Sequence, residues 1–175
     1  MALLLTKSAS LVKIKIIHSR HAVVLKLIQD IANFQSDYLH IGRKKEDWIF
    51  RDIEISDTGL TCFLDVSDPY ISSHDEKGFH LSIFTAQEAC SELLIYWICV
   101  KAGLERKPGE AWVKEFSSKF CKPIRDFEGI RIQLHVIKSR VGVNLLVAVG
   151  SFKIVGPNGG LFSIELKGMM ENYVN

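Results

Sequence analysis

Apolar residues recur first at every second position, then at helical spacing, and later at every second position again. LVKIKII at 11–17 alternates Leu11, Lys13 and Lys15 with Val12, Ile14 and Ile16. That period of two predicts a strand, and its lysines suit a sheet edge. From Ser19 the period lengthens, and Val23, Leu27, Ile28 and Ile31 predict an amphipathic helix over 20–34. QSDYLHIGRKKED (35–47) is polar and loop-like. DWIFRDIEI (47–55) and GLTCFLDV (59–66) read as strands joined by a tight turn at Ser56-Asp57-Thr58. The polar stretch SDPYISSHDEKG (67–78) reads as a long loop of the kind that tends to hold functional residues. FHLSIF (79–84) reads as a short strand leading out of it.

The next stretch, FTAQEACSELLIYWICVKAG (84–103), predicts the central helix. Thr85 with Glu88 three residues later has capping-box spacing, and Lys101 with Gly103 marks the far end. LLIYWICV (93–100) is apolar on every side, which predicts a helix buried all round. The helix reads as too short, and too polar at its start, for a bilayer span of about 20 apolar residues. After a turn at ERKPGE, period-two strands are predicted at 112–122, 127–137, 142–155 and 161–169, with Gly156-Pro157-Asn158-Gly159-Gly160 as a hairpin turn. The order predicts an α+β fold of the hot-dog type, an antiparallel sheet wrapped around one long central helix at 84–103. An extra strand and helix precede it, so 1–34 reads as an appendage and 35–175 as the domain.

Composition narrows the classes. The chain is 47% hydrophobic, with ten phenylalanines and a net charge of +2 of mixed sign, so a real core is expected and no nucleic-acid partner. Cys62, Cys90, Cys99 and Cys121 have no metal-ligand spacing and read as small buried hydrophobes of a reduced cytoplasmic protein. MALLLTK has no basic residue ahead of its short apolar run, which is not the pattern of a signal peptide. No metal, cofactor or membrane is expected.

Three motifs, FTAQE (84–88), SSKFCKPI (117–124) and NGGLFSIEL (158–166), in that order and spacing, resemble the mycobacterial FcoT-like family over residues 35–172. The resemblance implies a single-domain hot-dog thioesterase acting on a fatty acyl-CoA or on an acyl-carrier-protein thioester, in lipid or secondary metabolism, as a homodimer or higher homo-oligomer. It places Tyr70 of DPYIS and Tyr38 of SDY beside the acyl thioester. Thr85 stands where the family has an asparagine, and Leu94 where it has a second one. A hydroxyl and an alkyl chain replace two amides, so the resemblance leaves room for a different substrate or reaction.

The residues propose their own chemistry. A thioester carbonyl needs polarising, and the first amides of a buried helix, expected around Ala86, Gln87 and Glu88, supply that. Water needs a base, and Glu88 is the candidate, with Glu92 the next carboxylate along. Glu88 also serves equally well as a helix cap, and Glu92 as a solvated or locally bonded side chain. Tyr70 orients the thioester or a water, or packs in its loop. Lys119 and Lys122, which match basic positions of the family motif, are candidates for the phosphates of coenzyme A or a phosphopantetheine arm, alongside Lys114 and Arg125. The same residues read equally as a solubilising sheet face. The stretch from His74 to Glu88 resembles the histidine-to-carboxylate spacing of hot-dog dehydratases, though without their proline- and glycine-rich segment. That resemblance implies for His74 or His80 a competing reaction, dehydration or conjugate addition on a 3-hydroxyacyl or enoyl thioester. A third alternative is a non-catalytic acyl-thioester binding protein.

Overall fold

Alternation along the sequence becomes one six-stranded antiparallel sheet. A computed structural model describes residues 46–69, 71 and 78–173, all within the unit spanning 35–175. The strand expected at 11–17, the helix at 20–34 and the boundary at 34/35 lie outside the described residues. The elements are β1 (Trp48–Ser56), β2 (Gly59–Val66), α1 (Ile83–Lys101), β3 (Ala111–Lys122), β4 (Ile130–Val141), β5 (Leu145–Val155) and β6 (Leu161–Glu171). They pair in the order β1-β2-β4-β5-β6-β3, which leaves β1 and β3 at the edges.

Period two puts one apolar set on the inner face. Leu60, Cys62 and Leu64 pair with Leu134, Ile132 and Ile130, and Phe152 and Ile154 pair with Ile164 and Phe162, all of them buried. The β4 and β5 strands start three residues later than the pattern predicts. Gly129 is in the left-handed region before β4, and Gly142 donates to Leu145 O at 3.0 Å to close the β4–β5 turn. The stretch 79–82 forms no strand, and the helix begins at Ile83.

α1 lies against this inner face through Ala86, Ala89, Cys90, Leu93, Leu94, Trp97 and Ile98. Its far end closes as the glycine predicts: Leu104 N donates to Cys99 O at 2.9 Å and Gly103 N to Val100 O at 3.0 Å, with Gly103 at φ 70°. This is a Schellman closure, in which only a residue without a Cβ sits comfortably. The helix is not buried all round. Phe84, Glu92, Tyr96 and Val100, spaced in fours and eights along one line, remain exposed. A sheet on one side covers only the inward half of a helix, even where the outward half is apolar. Among the described residues α1 alone has the length and mean hydropathy, 1.2, of a bilayer-crossing segment, contrary to the expectation that it is too short; half of that window is buried inside the protein.

Trp97 anchors this packing. It is 2% exposed, and its indole N–H donates to Ser56 O at 3.1 Å, tying the helix to the β1–β2 turn. Trp97→Ala should therefore cost about 3–5 kcal/mol in chemical denaturation, whereas Val100→Ala, on the exposed line, should stay within about 0.5 kcal/mol.

Candidate active site at the buried helix start

The start of α1 is fixed by hydroxyls. Ser82, at φ −74° and ψ 155°, is the N-cap, and its Oγ accepts from Thr85 N at 3.1 Å. Thr85 is thus one turn inside the helix and is not its cap, because its side chain turns inward, with none of it exposed to solvent. There its hydroxyl donates to the carboxylate of Glu46, a residue only 4% exposed. A hydroxyl has one proton, so Ser82 is the donor in its 2.9 Å contact with Thr85 Oγ1. The result is a directed chain, Ser82 to Thr85 to Glu46, running from the half-buried helix mouth into the core.

This start moves the polarising amides. Ala86 N donates to Ser82 O at 3.0 Å, and the amides of Gln87 and Glu88 lie within the helical ladder. The amides that helix geometry leaves without intrahelical acceptors are one turn earlier, from Ser82 to Thr85, and Thr85 is capped by Ser82. The expectation that Ala86, Gln87 and Glu88 present these amides is therefore corrected. Ala86 is fully buried and Gln87 half-buried.

Carboxylates line the same end of the helix in graded exposure. Glu88 is half-buried one turn in, and Glu92 is exposed and accepts from Trp48 Nε1 at 3.2 Å. The segment entering β1 thus runs beside the first three turns of α1, with Glu46 on Thr85 and Trp48 on Glu92. Among the described residues no three His, Cys, Asp or Glu side chains gather as metal ligands. Glu46 escapes sequence reasoning because it lies within the charged run RKKED, which reads as solvated loop; only the tertiary fold buries it.

Tyr38, Tyr70 and His74 lie outside the described residues, and His80 is exposed ahead of the helix. Lys119 and Lys122 are exposed on the edge strand β3, with Lys122 Nζ 3.5 Å from Asn158 O. Two residues beyond Lys122, Ile124 O accepts from Leu81 N at 2.9 Å, which brings that end of β3 toward the helix start.

The cysteines divide. Cys62, Cys90 and Cys99 are buried, but Cys121 is exposed on the edge strand, against expectation, because among the described residues β3 pairs on one side alone, with β6. Burial pushes the Cys62 thiol up to about 11, and burial, with Cys62 nearby, pushes Cys90 well above the ordinary range. Both stay protonated near neutral pH and are poor nucleophiles.

A sequence comparison finds no matching family model and no matching curated protein. Comparison of structures finds a shared fold. A thioesterase from Haemophilus influenzae superposes with a TM-score of 0.50 over 87% of this chain and 95% of that one, at 10% identity. A hypothetical thioesterase from Streptococcus pneumoniae, crystallised with coenzyme A, gives 0.48 at 9% identity over 71% and 88%. A point mutant of a thioesterase from Pseudomonas aeruginosa gives 0.47 at 14% identity over 71% and 81%. The described domain has the hot-dog fold, a large antiparallel sheet with one core helix, which it shares with the Haemophilus influenzae structure.

Two outcomes test this site. Thr85→Val removes the hydroxyl between Ser82 and Glu46 and should lower stability by about 1–3 kcal/mol in urea denaturation. Alkylation of the native protein with iodoacetamide at neutral pH, read by peptide mass spectrometry, should label Cys121 well ahead of Cys62 and Cys90.

Proposed function

We propose that the chain is an acyl-thioester hydrolase whose reaction takes place at the amide end of α1. The observation that carries this reading is the helix start itself, where first-turn amides, an oriented hydroxyl chain and the half-buried Glu88 meet on one side of the sheet. Water adds to the thioester carbon with Glu88 taking its proton. The carbonyl oxygen becomes an oxyanion held by amides of the first turn. The tetrahedral centre then collapses, the C–S bond breaks, and the thiolate leaves and takes a proton, giving a carboxylic acid and a free thiol.

Thr85, fully buried, is in this reading a positioning residue that holds the helix mouth against Glu46. Tyr70 and Tyr38 keep the orienting roles that the FcoT-like resemblance gives them, and Glu92 is the second carboxylate of the site. Lys119 and Lys122 flank the stretch that reaches the helix start through Ile124, which suits the phosphates of coenzyme A or a carrier protein's phosphopantetheine arm. The edge strand β3 runs twelve residues with Trp112, Val113 and Phe120 exposed. Such an edge suits pairing with a second copy of the chain, so a homodimer is part of the proposal.

Purified protein given a panel of acyl-CoAs and acyl-carrier proteins should release free thiol. Glu88→Gln should lower kcat by about 100-fold or more while substrate still binds. Full activity in that variant would remove Glu88 from the mechanism. Loss of one water from a 3-hydroxyacyl thioester without thiol release would replace hydrolysis by dehydration.

A further inference from the structure

Two glycines on the inner face of the sheet occupy their positions for different reasons. A Cβ on Gly150 would lie 2.5 Å from Leu134 Cδ1 and 3.1 Å from Leu94 Cδ1, so β5 needs a glycine under the helix at that point. Gly168 is not constrained in this way. A Cβ there would meet Leu94 Cδ2 at 3.4 Å and Leu166 Cδ2 at 3.9 Å, ordinary contacts, and its backbone lies outside the left-handed region. A glycine within a strand costs about 0.5–1 kcal/mol relative to alanine. Gly168 pairs with Val113, where β3 has a bulge before Glu115, and a glycine within a strand marks such a bulge or a place that a ligand approaches closely.

What Gly168 borders is a cavity of about 80 Å³ between α1 and strands β3, β5 and β6. Leu94, Ile95 and Ile98 form the helix side of its wall. On the sheet side Ala148, Gly168 and Val113 are register partners across three neighbouring strands. The hydroxyl on the wall, that of Ser91, donates to Gln87 O at 2.7 Å and so is already engaged. The cavity is half open to solvent, since Trp112 and Val113 on its wall are exposed, and its apolar lining suits an apolar ligand. Its helix residues, Ser91 to Ile98, lie about 12 to 22 Å along the axis from Ile83 at the amide end, at 1.5 Å per residue.

We propose that this cavity seats the far end of the substrate's acyl chain and that Gly168 sets its calibre, which makes Gly168 a specificity-determining residue. The inference rests on the acyl-thioester reading of the helix start. An acetyl or butyryl group held at the first-turn amides stops short of Gly168, whereas a dodecanoyl chain reaches it. The missing side chain thus gives up strand stability for room in the cavity.

The test is Gly168→Val in the full-length chain, assayed with butyryl-CoA and dodecanoyl-CoA, together with calorimetric titration of decanoate into both proteins. Valine suits a strand and fills the void, so the denaturation midpoint should hold or rise. The kcat/KM ratio of dodecanoyl-CoA to butyryl-CoA should fall about tenfold or more, with butyryl-CoA itself unchanged, and decanoate binding should be lost. An unchanged ratio together with unchanged decanoate binding would overturn the inference. Decanoate bound by the wild type but not by the variant, with no thiol released from any thioester, would support the cavity and overturn the hydrolase reading alone. If the valine variant does not fold, Gly168→Ala, whose methyl would meet Leu94 Cδ2 in ordinary van der Waals contact at 3.4 Å, should show the same trends at smaller size.

Discussion

A helix laid across the inner face of a sheet turns its first amides away from water, and those amides must find acceptors or the helix start is lost. Ser82 meets that requirement for Thr85 N, and Thr85 and Glu46 hold the turn in place. Ser82 caps Thr85 N, Thr85 passes its proton contact to Glu46, and Glu46 brings the chain entering β1 against the helix. One buried carboxylate therefore fixes the helix start and the first strand together. A negative charge near the positive end of the helix dipole adds to the same effect.

From that point the helix has two chemically distinct ends on its inward side. The N-terminal turns hold the buried Thr85 and the half-buried Glu88, and the turns from Ser91 to Ile98 border an apolar cavity half open to solvent. A molecule with a polar, activated head and a hydrocarbon tail matches both along a single axis. Neither end alone makes that match: a helix N-terminus is common, and so is a void in a core. Their separation along one helix is what joins them into a reading of substrate shape. The shared fold at 10% identity says nothing of which side chains act, so the roles given to Glu88, Thr85 and Gly168 rest on the geometry of this chain.

Much of the fold is legible in the sequence because sheet and helix have different periods. The alternation in GLTCFLDV is the inner-face set of β2, and Gly103 is the left-handed closure that its place after Lys101 foretells. The pattern misplaces the helix start by one turn because FTAQE satisfies a capping box, yet Ser82 stands three residues before Thr85 and takes the cap. Periodicity also cannot tell that Tyr96 and Val100 face solvent, since an apolar residue looks the same on either side of a helix. Glu46 and Gly168 are invisible for a common reason. Burial of the glutamate within RKKED, and the cavity bordered by the glycine in KGMM, arise only when strands distant in sequence come together. The exposure of Cys121 has the same origin, because the edge position of β3 is set by strand order and not by its own residues.

The most direct measurement is a crystal structure of the full-length protein with a dodecanoyl-CoA analogue whose thioester is replaced by a non-hydrolysable thioether ketone. The account predicts the carbonyl oxygen within hydrogen-bond distance of the first-turn amides of α1, with Glu88 facing the carbonyl carbon and the alkyl end beside Gly168. A carbonyl seated away from the helix start, or an alkyl chain that leaves the cavity beside Gly168 empty, would contradict it.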